Sequence, residues 1–278
     1  MRIVVCIKHV PDVQADRRFE GGYLVRGEDD SLNELDENAI EAAVRVVEEL
    51  GGEVIALTMG PEDAESSVLR ALQLGADRGV MVTDDALQGS DVVATASVLA
   101  SVVMALEAEQ PVDLVITGMA SLDSMTSMLP GALAEALAWP SLTLASEVMV
   151  VPGRVRIKRS ADGRDDLLSC PLPALVSVTD QANEPRYPNF AAMAAARKKP
   201  IDVWSVDDLR ENLREALTGV EVEKAAPLLA GLERLGSAGS GFDVIQAEEA
   251  EARQAGTIIQ DTGQAGKMIA DFIKNALV

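Results

Sequence analysis

Five solidly apolar runs, at residues 3–7, 54–57, 79–82, 114–117 and 174–178, constrain this chain more than any other feature, because none alternates with polar residues. A strand that is apolar on both sides must be covered on both sides, as inside a parallel sheet. Helical patterns fill the intervals at 36–50, 61–74, 91–109 and 127–138. The order β-α-β-α-β-α-β predicts an α/β fold with a mostly parallel sheet, right-handed crossovers and helices on both faces. Punctuation agrees: Gly51-Gly52 closes one helix, and Pro61 opens another where its missing N–H costs nothing.

The pattern changes over residues 147–170. Shorter segments there flank Pro152-Gly153 and Asp162-Gly163, both hairpin signals, and predict a small antiparallel excursion. It carries Arg154, Arg156, Lys158 and Arg159, either a solvated face or a surface for a partner. Beyond Pro200 the composition turns to Asp, Glu, Ala and Gly, with no further strand of core quality. We read residues 1–205 as an α/β nucleotide-binding domain, and residues 206–278 as a C-terminal arm that packs on a partner. The arm ends in Met268, Ile269, Phe272 and Ile273 at helical spacing.

Charge and composition exclude several functions. A net charge of −21, from 45 acidic and 24 basic residues, repels nucleic acid and anionic membranes. Cys6 and Cys170 lie in apolar runs without metal-ligand spacing, and the single histidine, His9, has no evident acid partner for a triad, so neither a metal centre nor a catalytic residue is assigned. The start of the chain runs directly into a strand pattern without a leader, which predicts a cytoplasmic protein. Residues 92–106 form the longest apolar stretch but fall short of the roughly 20 that span a bilayer, so a buried helix and no membrane insertion are expected.

Ligands of parallel sheets bind beyond the carboxyl ends of the strands. The first such turn, Lys8-His9-Val10-Pro11-Asp12, lacks the glycine fingerprint of dinucleotide sites, and no P-loop occurs. Three turns remain. Residues 33–37 precede a helix, where Asn33 or Asp36 serves either as a cap or as a partner for an adenine or ribose edge. Thr58-Met59-Gly60-Pro61 lets a ligand approach the main chain. Residues 117–127, rich in small and hydroxyl side chains, open a helix and suit a phosphate, with a plain cap by Ser124 or Ser127 as the alternative. Nothing here pairs a nucleophile with a base, so nucleotide binding without catalysis fits best.

A further stretch, residues 183–200, sets Tyr187 and Phe190 beside Arg197-Lys198-Lys199, and prolines at 185, 188 and 200 keep its flanks from continuing a helix. It reads as a presented surface; a turn tucked against its own domain is the plainer alternative.

Several residues together resemble the beta subunit of electron transfer flavoprotein, in order from Met1 to about Leu209. They are Val5 to Lys8, Ser31-Leu32-Asn33, Gly75-Ala76-Asp77-Arg78, Gly118 with Asp123, Trp139-Pro140, Leu172-Pro173-Ala174 and, above all, Asn183-Glu184-Pro185-Arg186-Tyr187. The resemblance implies a Rossmann-like fold without fingerprint glycines and a heterodimer with an alpha subunit that holds most of one FAD. It also implies a structural AMP in this chain, and electrons collected from acyl-CoA and other dehydrogenases for a quinone oxidoreductase. By position, the AMP site comprises Cys6, Asn33, Glu34, Leu35, Asp36, Met59, Gly118, Ser121, Leu122, Asp123, Ser124, Thr126, Ser127, Met128 and Leu129. Tyr187, Phe190, Met193, Arg197 and Lys198 form the dehydrogenase-docking loop.

Departures from that family are specific. Ser127-Met128-Leu129 stands where many members have Asn-Gln-Thr, leaving Ser127 and main-chain N–H groups for the phosphate. Val13 and Leu35 replace aromatics near the flavin, and Ala195 replaces the first lysine of the basic run. Two alternatives stand beside this reading: a bifurcating relative with a second FAD in the AMP site, and a flavin-free regulatory module of universal-stress type.

Overall fold

The computed structural model describes residues 1–15, 18–20, 23–26, 29–216, 222–242, 244–246, 261 and 263–276. In chain order it holds β1 (Arg2–Cys6), β2 (His9–Pro11), β3 (Phe19–Glu20), β4 (Tyr23–Leu24), β5 (Asp30–Leu32), α1 (Glu34–Leu50), β6 (Glu53–Met59), α2 (Glu65–Leu74), β7 (Arg78–Val82), α3 (Val92–Glu109), β8 (Leu114–Gly118) and α4 (Leu129–Leu137). There follow β9 (Ser141–Ala145), β10 (Glu147–Val151), β11 (Arg154–Ala161), β12 (Arg164–Pro171), β13 (Ala174–Val178), α5 (Phe190–Ala196), β14 (Ile201–Trp204), α6 (Val206–Ala216), α7 (Val222–Gly231), α8 (Gly236–Gly239) and α9 (Ala265–Ala276).

Each of the five apolar runs is a strand of one seven-stranded sheet, ordered β14-β7-β6-β1-β8-β13-β9 with every pairing parallel. Alternate residues feed two separate cores. Ile3, Val5, Val54 and Ile116 pack under α1 and α2, with Ile40 and Leu72 among the partners. Val4, Cys6, Leu57 and Val115 pack under α3, α4 and α6, with Val102, Leu133 and Leu209. Burial on both faces is the reason the runs carry no polar alternation. The excursion forms the three-stranded antiparallel sheet β10-β11-β12. At its second turn Asp162 and Gly163 both have positive φ, 53° and 71°, as a tight hairpin turn with right-handed strand twist requires. Of Arg154, Arg156, Lys158 and Arg159, two are neutralised within the hairpin, Lys158 by Asp165 (3.2 Å) and Arg159 by Asp166 (3.0 Å).

Two sheet strands are absent from the sequence reading. β9 and β14 are the edges, only five and four residues long and largely half-exposed, so neither shows the continuous apolar run of the inner strands. β14 follows Pro200, where no strand of core quality was foreseen. It pairs with β7 in register Ile201↔Gly79 to Trp204↔Val82. After it, Val206, Leu209 and Leu213 of α6 and Leu228 and Leu232 in and after α7 are buried in the second core. Ser237 N–H then donates to the Gln88 carbonyl and Gly241 N–H to Asp91, which stitches this segment to the turn before α3.

α3 is long and apolar enough by composition to cross a membrane. Ten of its residues are buried inside the fold, with α4, α6 and α7 packed against it. The chain divides into two units, Met1–Ala247 and Glu248–Val278. The second holds α9, whose Met268, Ile269, Phe272 and Ile273 are exposed at spacings that share one helix face. Of the arm foreseen from residue 206 onward, residues 217–221, 243, 247–260, 262 and 277–278 lie outside the described residues.

Candidate functional site

The sheet order reverses beside its first strand. β6 and β7 are laid down on one flank of β1, and α3 then carries the chain back to place β8 on the other flank. α1, which follows β1, covers one face, and α4, which follows β8, covers the opposite face. The loops leaving β1 and β8 therefore diverge and open a crevice, the topological switch point at which open α/β sheets bind ligands. Cys6 marks its floor, paired with Leu57 on one side and Thr117 on the other. Its thiol is buried and pushed up to about 12, first by desolvation and then by Asp36, so it stays protonated.

Four segments are tied together around the crevice. Asn33 stands at the N-cap position of α1 but makes no side-chain cap. Fully buried, it instead reaches the opposite loop: its amide donates to the Ala120 carbonyl (3.0 Å), its Oδ1 accepts from Leu122 N–H (3.0 Å), and its own N–H donates to the Lys8 carbonyl (2.9 Å). Asp36, also buried, accepts the Lys8 N–H at 2.8 Å. Gly118 abuts the same carboxylate so closely that a Cβ there would lie 2.5 Å from Asp36 Oδ1 and 2.8 Å from the Leu35 carbonyl. Burial pushes the Asp36 carboxyl up to about 7, against the contrary pull of Asn33, Lys8 and the Gly118 N–H.

The second tie is ionic. Lys8 Nζ pairs with Asp123 (2.9 Å), and Arg26 pairs with the same carboxylate while donating to the His9 carbonyl (3.2 Å). Burial opposes ionisation of Asp123, yet these two cations hold its carboxyl well below the usual carboxylate range. Two cations thus meet on the one Asp123 carboxylate at the crevice rim, a local concentration of positive charge on an acidic protein.

Beyond Asp123 the loop is open. Ser121 and Ser124 hydroxyls are 2.7 Å apart, and Ser124, Thr126, Ser127 and Met128 are exposed. Neither Ser124 nor Ser127 caps α4; the N-cap position is Met128, without a side-chain cap. The first N–H groups of that helix thus keep no side-chain partner, apart from Pro130, which has none to offer. Met125 and Ser127 adopt positive φ of 51° and 52°, a cost that non-glycine residues bear mainly where the loop shape is functional. Met59 and Leu35 are half-buried at the crevice, Leu122 and Leu129 likewise, and Glu34 points to solvent.

His9 has neighbours that its sequence context did not disclose. Its Nδ1 lies 2.7 Å from Ser67 Oγ, and its Nε2 lies 3.8 Å from Asp30 Oδ2, too far for a hydrogen bond. Ser67 is only 1% exposed, so this serine, histidine and acid serve as packing between β2, β5 and α2 rather than as a reachable nucleophile. The missed functional candidates are Lys8, whose side chain the motif reading did not use, and Arg26, which stands alone before an acidic stretch. Only the fold brings them to Asp123.

The stretch 183–200 is built differently. Asn183 exchanges hydrogen bonds with Asn38 (2.9 Å both ways), and Arg186 pairs with Glu41 (2.7 Å) and Glu48 (2.6 Å), all on α1. At the far end Lys199 Nζ donates to the carbonyls of Leu72 and Ala76, closing on the end of α2. Between these anchors, Asn189 caps α5 by accepting from Ala192 N–H (2.9 Å). The aromatics that result are not tucked in: Tyr187 is 94% exposed and Phe190 88%. Met193 is half-buried, and Arg197 and Lys198 are at the surface.

Residues 22–209 match the family model described as "Electron transfer flavoprotein domain". An electron transfer flavoprotein subunit beta of Mycobacterium leprae is 34% identical over 98% of this chain and 97% of its own length. Protein FixA of Azotobacter vinelandii is 32% identical over 73% of this chain and 74% of its own. The caffeyl-CoA reductase-Etf complex subunit CarD of Acetobacterium woodii is 32% identical over 75% and 80%.

Proposed function

The chain belongs to the electron transfer flavoprotein family, matching its beta subunits, and from that premise we propose that it binds a structural AMP at the β1/β8 crevice, supports an FAD held mainly by an alpha subunit, and docks acyl-CoA and related dehydrogenases through residues 187–198. Electrons then leave by way of the FAD to a quinone oxidoreductase. The chain is a carrier subunit of the cytoplasm, without a catalytic residue of its own.

The observation that carries this reading is the crevice itself: a switch point tied by Asn33 and Asp36, with Lys8 and Arg26 gathered on Asp123 and with exposed hydroxyls and an uncapped helix start on its rim. The donor set suits an adenylate. Leu35 and Met59, half-buried at the crevice, are the apolar side chains toward the base, with Cys6, Asn33 and Asp36 as the buried frame behind them, and Ser121, Ser124, Thr126, Ser127 and the first N–H groups of α4 are the donors toward a phosphate. When bound, an FAD supplies the redox chemistry that no side chain of this subunit can.

Co-expression with an alpha-type subunit tests the proposal. We expect a yellow heterodimer that releases one FAD and one AMP on denaturation. A colourless preparation without adenine nucleotide refutes it. Two relatives, FixA and the caffeyl-CoA reductase-Etf subunit, together with Ser127-Met128-Leu129 in the phosphate loop, support a second reading in which another FAD replaces the AMP. Two FAD and no AMP per heterodimer would select it. Family membership sets aside the flavin-free regulatory module.

A further inference from the structure

Among the described residues, Asp36 is a carboxylate at the crevice held by the Lys8 main-chain N–H and by no bridging cation. Its Oδ2 accepts from the loop after β1, through Lys8 N–H at 2.8 Å. Its Oδ1 lies against Gly118, where β8 ends and where the contact leaves no space for any side chain. These are the two strands between which the crevice opens, so this carboxylate fixes its width. Only 5% exposed, it has nothing left to offer a ligand directly.

We propose, resting on the nucleotide reading above, that Asp36 is a positioning residue: its ionised carboxylate clamps the β1 and β8 loops together, and adenine nucleotide is retained only while that clamp is charged. The chemistry is specific to an anion. A carboxylate presents only acceptors, one to the Lys8 N–H and one toward the Gly118 main chain, whereas a protonated acid or an amide carries a donor in place of one of them. Of the ionisable groups around it, the Cys6 thiol on β1 stays protonated, and Asp123 on the β8 loop stays ionised through Lys8 and Arg26. Among the described residues, Lys8 is the cation acting on Asp36 directly, and it is shared with Asp123. Asp36, with its carboxyl pushed up by burial to about 7, is therefore the group of this cluster that changes charge near neutrality.

The sign for stability is opposite to the sign for binding. The folded carboxyl holds its proton above the ordinary carboxylate range, so its contribution to stability is full at low pH and is lost as pH rises through about 7. Asp36→Asn should thus melt no lower than wild type at about pH 8 and yet hold nucleotide poorly. A merely structural residue would lose both.

The test uses the full chain in complex with its alpha subunit, loaded with isotopically labelled AMP. Release from the wild type should quicken about tenfold between about pH 8 and about pH 6, while Asp36→Asn releases AMP fast at both. The inference is overturned if wild-type release is independent of pH, if Asp36→Asn follows the wild-type profile, or if it holds AMP as tightly as wild type at the higher pH. A complex that never retains AMP removes the nucleotide reading and this inference with it. A measurement that needs no variant runs in parallel: the Lys8 and Gly118 amide resonances of the wild type should titrate near neutrality, and titration only in the ordinary carboxylate range, about pH 4, rejects the clamp.

Discussion

The crevice and the strap over residues 183–200 use polar side chains in opposite ways. Around the crevice, Asn33, Asp36 and Asp123 are spent inward: each is consumed by main chain or by a cation of the same protein, and what faces outward is hydroxyl and N–H. Along the strap the polar groups Asn183, Arg186, Asn189 and Lys199 act as fastenings, and what faces outward is Tyr187 and Phe190, with Arg197 and Lys198 beside them. The difference fits the two kinds of partner. A small ligand kept for the life of the protein calls for a shaped, preorganised pocket. A succession of protein partners calls for a rigid frame with an exposed aromatic anchor.

That contrast can be broken by mutation, and the largest effect should come from a fastening. Arg186→Ala leaves the Glu41 carboxylate, itself only 4% exposed, with Arg45 as its one cation and only the main-chain N–H of residue 186 (3.3 Å) besides, and should cost about 3 kcal/mol in denaturant unfolding. Burial raises the Glu41 carboxyl, and Arg186 and Arg45 outweigh it to hold the carboxyl below its ordinary value. This part of the stability is present above the ordinary carboxylate range and is lost as pH falls through it, so the wild-type advantage over Arg186→Ala should fade in acid. Next, Asn33→Ala strands the Ala120 carbonyl and the Leu122 N–H, and should cost about 2 kcal/mol together with a loss of bound adenine nucleotide. Nucleotide content unchanged in that variant would erase the distinction between the two regions.

Smaller effects sharpen it. Phe190→Ala should raise the KM for a partner dehydrogenase about tenfold, with FAD and AMP content and melting temperature unchanged. Tyr187→Ser should shift unfolding free energy by less than about 0.5 kcal/mol, since the ring touches little of its own domain. A destabilisation well beyond that would mean the strap's aromatics serve the fold after all.

How much of this could be read from the chain alone depended on where each residue's partners lie. The five inner strands were legible because burial on both faces leaves an unbroken apolar run, and the hairpin because Gly153 and Gly163 announce its turns. β9 and β14 were not, since an edge strand of four or five residues has no period to detect. The crevice loops were found from their position after strands, but the roles within them were not. Asn33 and Asp36 look like helix caps in sequence, and only the parallel pairing of β1 with β8 brings Ala120, Leu122 and Gly118 within their reach. Arg26 is 97 residues from Asp123 along the chain, a separation over which no local pattern carries information.

The strap has one more consequence. It leaves the sheet from β13, crosses above α1 and α2, and re-enters as β14 on the far edge, so the segment proposed for docking is also a cross-brace of the domain. It cannot be exchanged as a cassette. A segment grafted there from another protein would have to bring Asn38, Glu41, Glu48 and the end of α2 with it.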